Sequence, residues 1–437
     1  MREDGGADGC YVFHTMLRMN DVVNLRDIDA CLDRGDPAGA LALCDAILSR
    51  LPDSPAALSR RGAALLDLDR PVDARRAFNK MLNEDPSSGT AWNGLGKVFH
   101  DLGDLNGAAD AFGRAAAMLS RGDEDAGNES ASARYHQSMA LLAAGNFASG
   151  WPAHEARLDM ARMGYRDLPQ PRWTGEPLKG RRLLVLFEQG YGDMMQFARY
   201  LPRLCALDGE IIIEMPTELI PLLSRLAPDA TIIATESKAA DIYNADLAVW
   251  LMSLPGLLGT RTIADIPADT PYIDAPVTGP PAVAHSVGLV WAGRSTHPQD
   301  RQRSMNGALL APLLDTPGVE FQAIQREGDI SADLALRFAR DRSGDMTEFS
   351  ATAAIVASLG LVITVDTAIA HLAGAMGRPV WVMLPFAADW RWFRDRADSP
   401  WYPTMRLFRQ DRPGHWPSMV DEVAAALAKW RAGIAKG

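Results

Sequence analysis

The sequence predicts an α plus α/β protein: a solenoid of paired helices, followed by two doubly wound parallel α/β units. Three observations predict this. Small and aromatic residues recur at a spacing of 34 between residues 40 and 112. Two apolar strands, Arg182 to Phe187 and Leu361 to Val365, each run into a short polar turn and a helix. A stretch rich in proline (Pro267, Pro271, Pro276, Pro280, Pro281) separates the units that hold those strands. The chain has 437 residues, with 47% hydrophobic and 23% charged. That is ordinary for a globular chain with real cores and long enough for about two to four domains.

The net charge of −11 argues against general nucleic-acid binding, which wants a basic face. It leaves room for a local basic pocket. Cys10, Cys31, Cys44 and Cys205 are scattered with no CxxC pair, so reduced thiols and a cytoplasmic location are expected. No run approaches the length of a membrane span. Residues 1–20 carry Glu3, Asp4, Asp8 and several glycines without an apolar stretch, and read as a disordered tail. The acidic pairs Asp67/Asp69 and Asp123/Asp125 fall on a helix end and in an insert, where they read as solvated charge. No metal-ligand spacing is present, so no metal is expected.

Ala40, Ala74 and Ala108 stand 34 apart, as do Gly62 and Gly96, Phe78 and Phe112, and Pro52 and Pro86. A unit of that length is a helix pair that buries its apolar face only by stacking on its neighbours. Units fall at 21–53, 54–87 and 88–121. A fourth comes after the acidic insert Arg121 to Glu129 and spans 131–165, with Gly145-Asn146-Phe147 where the third has Gly103-Asp104-Leu105. Its Trp151 and His154 depart from the pattern, as in a capping unit. Such an array either buttresses the α/β units or offers a concave surface to a peptide or protein.

Pro169, Pro171, Gly175, Pro177 and Gly180 break the chain after the array. The first α/β unit opens with strand 182–187 and a helix 194–205. Strands 210–215, 230–234 and 246–250 and a helix 217–226 continue the alternation. The second has strands near 286–291, 319–324, 361–365 and 379–384, with helices between, among them 349–358 and 368–376. A last helix, 417–432, is expected to pack back across the hinge.

In open parallel sheets, ligands sit beyond the carboxyl ends of the strands. Asp366 and Thr367 stand there, opening a helix whose free N–H groups and dipole suit phosphate, with His371 on its first turn. Gly190 and Gly192 let the backbone turn sharply and approach a ligand. Met195 occupies the place where a dinucleotide fingerprint needs its third glycine, which excludes an NAD site. Asp193, at the mouth of the cleft, is placed to take a proton from an acceptor hydroxyl. Asp193 and Asp366 also fit as plain helix caps. Arg294, Arg301 and Arg303 lie on the loop after strand 286–291, and guanidinium forks match phosphate oxygens. Gln325 ends the next strand, where a base or ribose fits. Met346 precedes helix 349–358 and is placed to meet a nucleotide base. Asp389-Trp390-Arg391-Trp392 and Asp398 to Pro403 are dense in groups that bind sugar rings, although a Trp is equally a core residue.

The 34-residue pattern resembles the tetratricopeptide repeat. The motifs Val365-Asp366-Thr367-Ala368-Ile369-Ala370-His371-Leu372 and Gly190-Tyr191-Gly192-Asp193, with the stretch Asp398 to Gln410, resemble glycosyltransferase family 9, the bacterial lipopolysaccharide heptosyltransferases. The likeness is greatest to the subgroup in which such a domain follows tetratricopeptide repeats. It covers about 180 to 432, and nearly the whole chain with the repeats. The resemblance implies a tail at 1–20, repeats at 21–165, a linker at 166–181 and a GT-B type pair of Rossmann-like domains. These are an acceptor domain at 182–281 and a donor domain at 282–416, closed by a C-terminal helix at 417–437. It implies Asp193 as catalytic base. It also implies donor contacts from Asp366, Thr367, Ala368 and His371, and phosphate contacts from Arg294, Arg301 and Arg303. The family usually has glycine where Ala368 stands, and different residues where Glu188-Gln189 stand.

The expected function is a bacterial, metal-independent glycosyltransferase, hexosyl- or heptosyltransferase-like. It would move a sugar from a nucleotide-diphosphate sugar to an acceptor hydroxyl, on a protein or surface glycan held by the array. The nucleotide sugar is a substrate, and no resident cofactor is expected. The rival expectation is a repeat-based interaction scaffold whose transferase domain is degenerate and only binds.

Overall fold

The computed structural model describes residues 24–120, 124–235, 244–274, 282–297, 300–326 and 330–434. The expected tail over 1–20, Asp123 and the hinge prolines Pro276, Pro280 and Pro281 lie outside the described residues.

The array is α1 (Leu25–Asp33), α2 (Pro37–Leu48), α3 (Pro55–Asp67), α4 (Pro71–Glu84), α5 (Gly89–Leu102), α6 (Leu105–Leu119), α7 (Glu124–Ala143) and α8 (Phe147–His154). Side chains of Asp36, Ser54, Ser88, Asp104 and Asn146 each accept a backbone N–H in the first turn of the following helix. Prolines open α2, α3 and α4, where a missing N–H costs nothing. The 34-residue spacing has a steric cause. A Cβ on Gly62 would stand 2.3 Å from the Phe78 ring, and one on Gly96 would stand 2.5 Å from the Phe112 ring, the same contact one unit later. The insert expected over 121–129 is helical from Glu124 onward, since no proline interrupts it.

The first half holds β1 (Arg182–Leu186), α9 (Tyr191–Phe197), α10 (Leu201–Cys205), β2 (Glu210–Met215), α11 (Ile220–Leu223), β3 (Thr231–Ala234), β4 (Leu247–Trp250) and α12 (Leu254–Leu257). Its sheet is parallel, in the order β3-β2-β1-β4. The helix expected over 194–205 starts at Tyr191 and divides at a 3₁₀ turn, Ala198–Tyr200, because Pro202 has no N–H to give Ala198. The one expected over 217–226 shrinks to α11 between two 3₁₀ turns.

The second half holds β5 (Val283–Val290), α13 (Asp300–Arg303), α14 (Ala311–Leu314), β6 (Glu320–Ala323), α15 (Ala332–Ala335), β7 (Arg340–Asp341), α16 (Phe349–Ala357), β8 (Leu359–Val365), α17 (Ala368–Ala375), β9 (Val380–Leu384), β10 (Met405–Arg409) and α18 (Trp416–Ile434). Its parallel sheet runs β10-β9-β8-β5-β6-β7. Strands β7 and β10, at its two edges, are not expected from the sequence. Helix α18 lays Val420, Val423 and Leu427 on this half, beside β5, β10 and α14; the hinge prolines Pro276, Pro280 and Pro281, which it is expected to cross, lie outside the described residues. The spacing of Val420, Val423 and Leu427 makes one apolar stripe.

The array meets the halves along the turns within its helix pairs. A Cβ on Gly103 would lie 2.6 Å from the Arg394 guanidinium, and one on Gly145 would lie 3.4 Å from Ile263. Its last unit goes deeper. Phe147 and Trp151 share one buried cluster with Phe197, Trp390 and Trp401, and Trp151 meets Trp390 edge to face at 5.4 Å. Among the described residues no helix is long and apolar enough to cross a membrane.

Candidate active site

Strand β1 ends at Leu186, and Phe187, Glu188 and Gln189 come next. Gln189 has φ 63°, a left-handed value rare for a residue with a Cβ. The chain then turns through Gly190 into α9. Asp193, in the first turn, accepts the Gly190 N–H through Oδ2 at 3.0 Å. The helix-cap role allowed by the sequence is therefore present. It is not the only role: Asp193 Oδ1 also receives Arg391 Nη2 from the second half.

Strand β8 delivers Asp366 and Thr367 to the same place. No side chain caps α17, so Asp366 is not the helix cap. Thr367 shares a hydrogen bond with Thr364, Oγ1 to Oγ1, at 3.0 Å. The two halves touch here. A Cβ on Gly192 would stand 2.7 Å from His371 Cδ2 and 3.5 Å from the Ala368 Cα. Glycine is required at 192 for this close approach.

Arg391 ties the site together. It gives Nε to Gln196 Oε1 at 2.6 Å, Nη1 to Asp389 Oδ1 at 2.7 Å, and Nη2 to Asp193. Arg303 gives Nη1 to the Asp366 carbonyl at 3.2 Å. Its guanidinium lies where a Cβ on Gly293 would come within 2.7 Å. Tyr135, from α7 of the array, faces the same cluster. Burial, with the charges of Asp389 and Asp193, pushes its hydroxyl up to about 12.

The remaining expected residues are placed differently. His371 is buried, stacks on Trp392 at 5.2 Å and shares a hydrogen bond between Nδ1 and the Tyr402 hydroxyl at 2.9 Å. Burial, aided by Arg391 and Arg199, holds it well below the usual imidazole range, so the ring is neutral. Gln325 accepts the N–H groups of Trp291 and Ala292 at 2.8 and 3.1 Å and donates to the Ala292 carbonyl, splinting the loop after β5. Met346 is packed in the core. Arg294 is exposed. Arg301 turns away from Arg303 toward the array, where a Cβ on Gly35 would stand 3.6 Å from it and where its charge acts on Asp67. The expected trio of arginines is thus divided, with Arg303 at Asp366. Sequence reasoning does not single out Tyr135, Tyr165 or Arg157, and it reads Asp389 and Arg391 only within an aromatic stretch. A signal is present for one of them: the acidic Glu188 at the end of an apolar strand calls for a buried cation.

Burial pushes the Asp193 carboxyl above its ordinary range, and Asp389 adds to this while Arg391 opposes it. The side chain keeps 23% of its surface open. Asp366 is pushed up to about 6, by burial first and then by Asp389. The folded chain therefore holds this proton more tightly than the unfolded one does, and stability is lost as pH rises from about 4 through about 6. Asp366→Asn removes that penalty. The variant is expected to melt above the parent at pH 8 and level with it at pH 4. An equal difference at both pH values would show that Asp366 does not titrate in this window.

The fold and the site define a chain with an N-terminal helical repeat region and a parallel-sheet α/β region whose halves meet at a cluster of carboxylates and arginines. Residues 32–98 match the tetratricopeptide repeat family. The chain is similar to Protein FlbA of Caulobacter vibrioides (strain ATCC 19089 / CIP 103742 / CB 15), 28% identical over 448 residues that cover 87% of this chain and 74% of FlbA. It is also similar to two solved structures. One is the iron-containing dodecameric glycosyltransferase TibC of enterotoxigenic E. coli H10407, at 14% identity and TM-score 0.40, covering 59% of this chain and 78% of that one. The other is the E. coli ADP-heptose lipopolysaccharide heptosyltransferase II, at 15% identity and TM-score 0.38, covering 57% and 99%. At such scores neither structure bears on the chemistry here.

Proposed function

We propose that the chain is a glycosyltransferase of the GT-B type, similar to family 9, which transfers a sugar from a nucleotide-diphosphate sugar to an acceptor hydroxyl. One observation carries this reading: Arg391 pairs with Asp193 of the first half and feels the charge of Asp366 in the second, Arg303 holds the Asp366 carbonyl, and Gly192 packs on the start of α17. Asp193 deprotonates the acceptor hydroxyl. Its upward shift makes it a stronger base than an ordinary carboxylate. Arg303 and the uncapped N-terminus of α17 take the diphosphate and stabilise the charge that grows on it as it leaves. That electrostatic work needs no divalent ion. Tyr135 brings the repeat array to the edge of the cluster, which favours an acceptor protein or glycan held by the array, in the cytoplasm.

A second reading, a binding-only scaffold, is favoured by the Asp193–Arg391 pair, because an ion-paired carboxylate is a poorer base. Thermal unfolding with UDP, GDP, ADP, CMP and their common sugars separates the two. One nucleotide class is expected to raise the melting temperature, since at about 100 times its Kd a ligand adds about 2.7 kcal/mol. Arg303→Ala is expected to abolish the shift, and Arg301→Ala to preserve it. Stabilisation without sugar release or transfer would favour the scaffold. No stabilisation at all would remove the support for a donor site at Arg303.

A further inference from the structure

The turn that carries Asp193 is held from outside its own domain. Glu188, just before the turn, has a fully buried carboxylate whose four acceptor positions are all filled. Oε1 receives Arg157 Nη2 at 2.7 Å and the Met252 N–H at 2.8 Å; Oε2 receives Arg157 Nε at 2.9 Å and the Tyr165 hydroxyl at 2.5 Å. Arg157 is itself completely buried. Its other donors go to the His154 carbonyl, Glu155 Oε1 and Ser253 Oγ at 3.2, 2.8 and 2.9 Å. All five of its N–H groups are thereby used. Arg157 and Tyr165 belong to the segment that ends the repeat array, not to the first half.

Two further facts point from this cluster to the turn. Gln189 stands between Glu188 and Gly190 in the left-handed region, a conformation that is costly for a residue with a side chain and persists only where its surroundings enforce it. The enforcing contact is visible: Gln189 Nε2 donates to the Tyr165 hydroxyl at 2.9 Å, the same hydroxyl that donates to Glu188. One residue later, the Gly190 N–H fixes Asp193 Oδ2. A buried ion pair is poor evidence of stability, since apolar residues of equal volume commonly do as well. What this one supplies is direction: it fixes the path by which the chain leaves β1 for α9.

We propose that Arg157 and Tyr165 are positioning residues, through which the end of the repeat array sets the geometry of the Gln189–Asp193 turn and so aims the Asp193 carboxylate into the cleft. The proposal rests on the reading of Asp193 as the base. It makes the array part of the catalytic apparatus, not a detachable handle, and gives anything that binds the array a mechanical route to the site.

The test uses the full chain, as parent, Tyr165→Phe, Arg157→Lys and Asp193→Asn. Tyr165→Phe keeps the ring against Trp250 and deletes only the hydroxyl shared by Glu188 and Gln189. Hydrogen exchange read peptide by peptide is expected to speed up about 10-fold at residues 189–194 in Tyr165→Phe, with α18 and the array unchanged. Nucleoside diphosphate release is measured from UDP-glucose, UDP-N-acetylglucosamine, GDP-mannose and ADP-heptose. Tyr165→Phe is expected to lower kcat by about 10- to 100-fold with the donor KM within about twofold, as expected for a misplaced group. Arg157→Lys keeps the charge but brings three donors to a site that uses five, two of them bidentate on Glu188, and should lower kcat at least as far as Tyr165→Phe. A lower melting temperature with parent-like exchange at 189–194 and parent-like kcat would make both residues merely structural and overturn the proposal. Turnover retained in Asp193→Asn would overturn the base reading separately, and the exchange data would still decide whether the array holds the turn.

Discussion

Arg157→Met is expected to lower the stability of the chain by about 3–5 kcal/mol, the usual loss when one partner of a buried ion pair is removed. The size reflects the charge left stranded. Glu188 keeps the Tyr165 hydroxyl and the Met252 N–H, but its side chain is 1% exposed, and neither remaining donor carries a charge. Water does not reach the carboxylate to replace the guanidinium. The loss should appear as a lower urea midpoint with an unchanged slope, since the fold and the area it buries stay the same. One control separates a stranded charge from lost packing. The double variant Arg157→Met/Glu188→Gln should recover most of the loss, because glutamine carries no charge, its amide oxygen still accepts the Met252 N–H, and its NH2 donates to the Tyr165 hydroxyl oxygen. A deficit that is additive in the double variant would assign the effect to packing alone. By the same logic, an α/β region cut free at residue 166 loses Arg157 and Tyr165 together and exposes the face that Phe147 and Trp151 cover. It should aggregate. Such a truncation therefore cannot report on whether the array binds the acceptor.

The features legible in the sequence are those whose physical cause is local. The Gly62–Phe78 contact recurs 34 residues on because each unit repeats the same packing problem. Asp193 and Asp366 are legible because a strand that stops at a polar turn and a helix is a short-range pattern. The hidden features depend on neighbours distant in the chain. Arg391 reaches Asp193 across 198 residues, and nothing around Trp390 indicates which carboxylate it serves. Arg301 and Arg303 share the single turn of α13, yet one faces the array and the other faces Asp366, because the array occupies one side of that turn. His371 reads as a ligand contact because it stands on the first turn of α17. It is buried because the first half brings Gly192, a residue without a Cβ, against it. Strand β10 is hidden among prolines and tryptophans, and it forms because β9 offers a free parallel edge. Gln325 looks like a ligand at a strand end; its amide instead matches the two N–H groups and one carbonyl that the next loop leaves unpaired.

Asp193→Asn is expected to reduce sugar transfer by about 10²- to 10⁴-fold, the range for loss of a general base, while the melting temperature falls only modestly. Asparagine fills the same volume but offers one acceptor where two donors, the Gly190 N–H and Arg391 Nη2, converge. One of them meets an amide N–H instead, which costs about 1–3 kcal/mol. Arg391 still has Asp389 and Gln196, so the halves stay joined. The pH dependence distinguishes a base from a latch. A base must be ionised, so kcat/KM falls as pH drops through the raised carboxyl range of Asp193. Asp366 titrates nearby, at about 6, and contributes its own limb. Asp366→Asn should remove that limb and leave the one belonging to Asp193. If the parent shows an acid limb that survives in Asp366→Asn and vanishes in the residual activity of Asp193→Asn, the proton is Asp193's. If Asp193→Asn instead turns over at the parent rate, the pair with Arg391 is a latch between the halves, and Asp366 is the carboxylate left to serve as base. The two outcomes differ by orders of magnitude in rate, whereas the stability cost is nearly the same for both. The rate is therefore the measurement that decides between them.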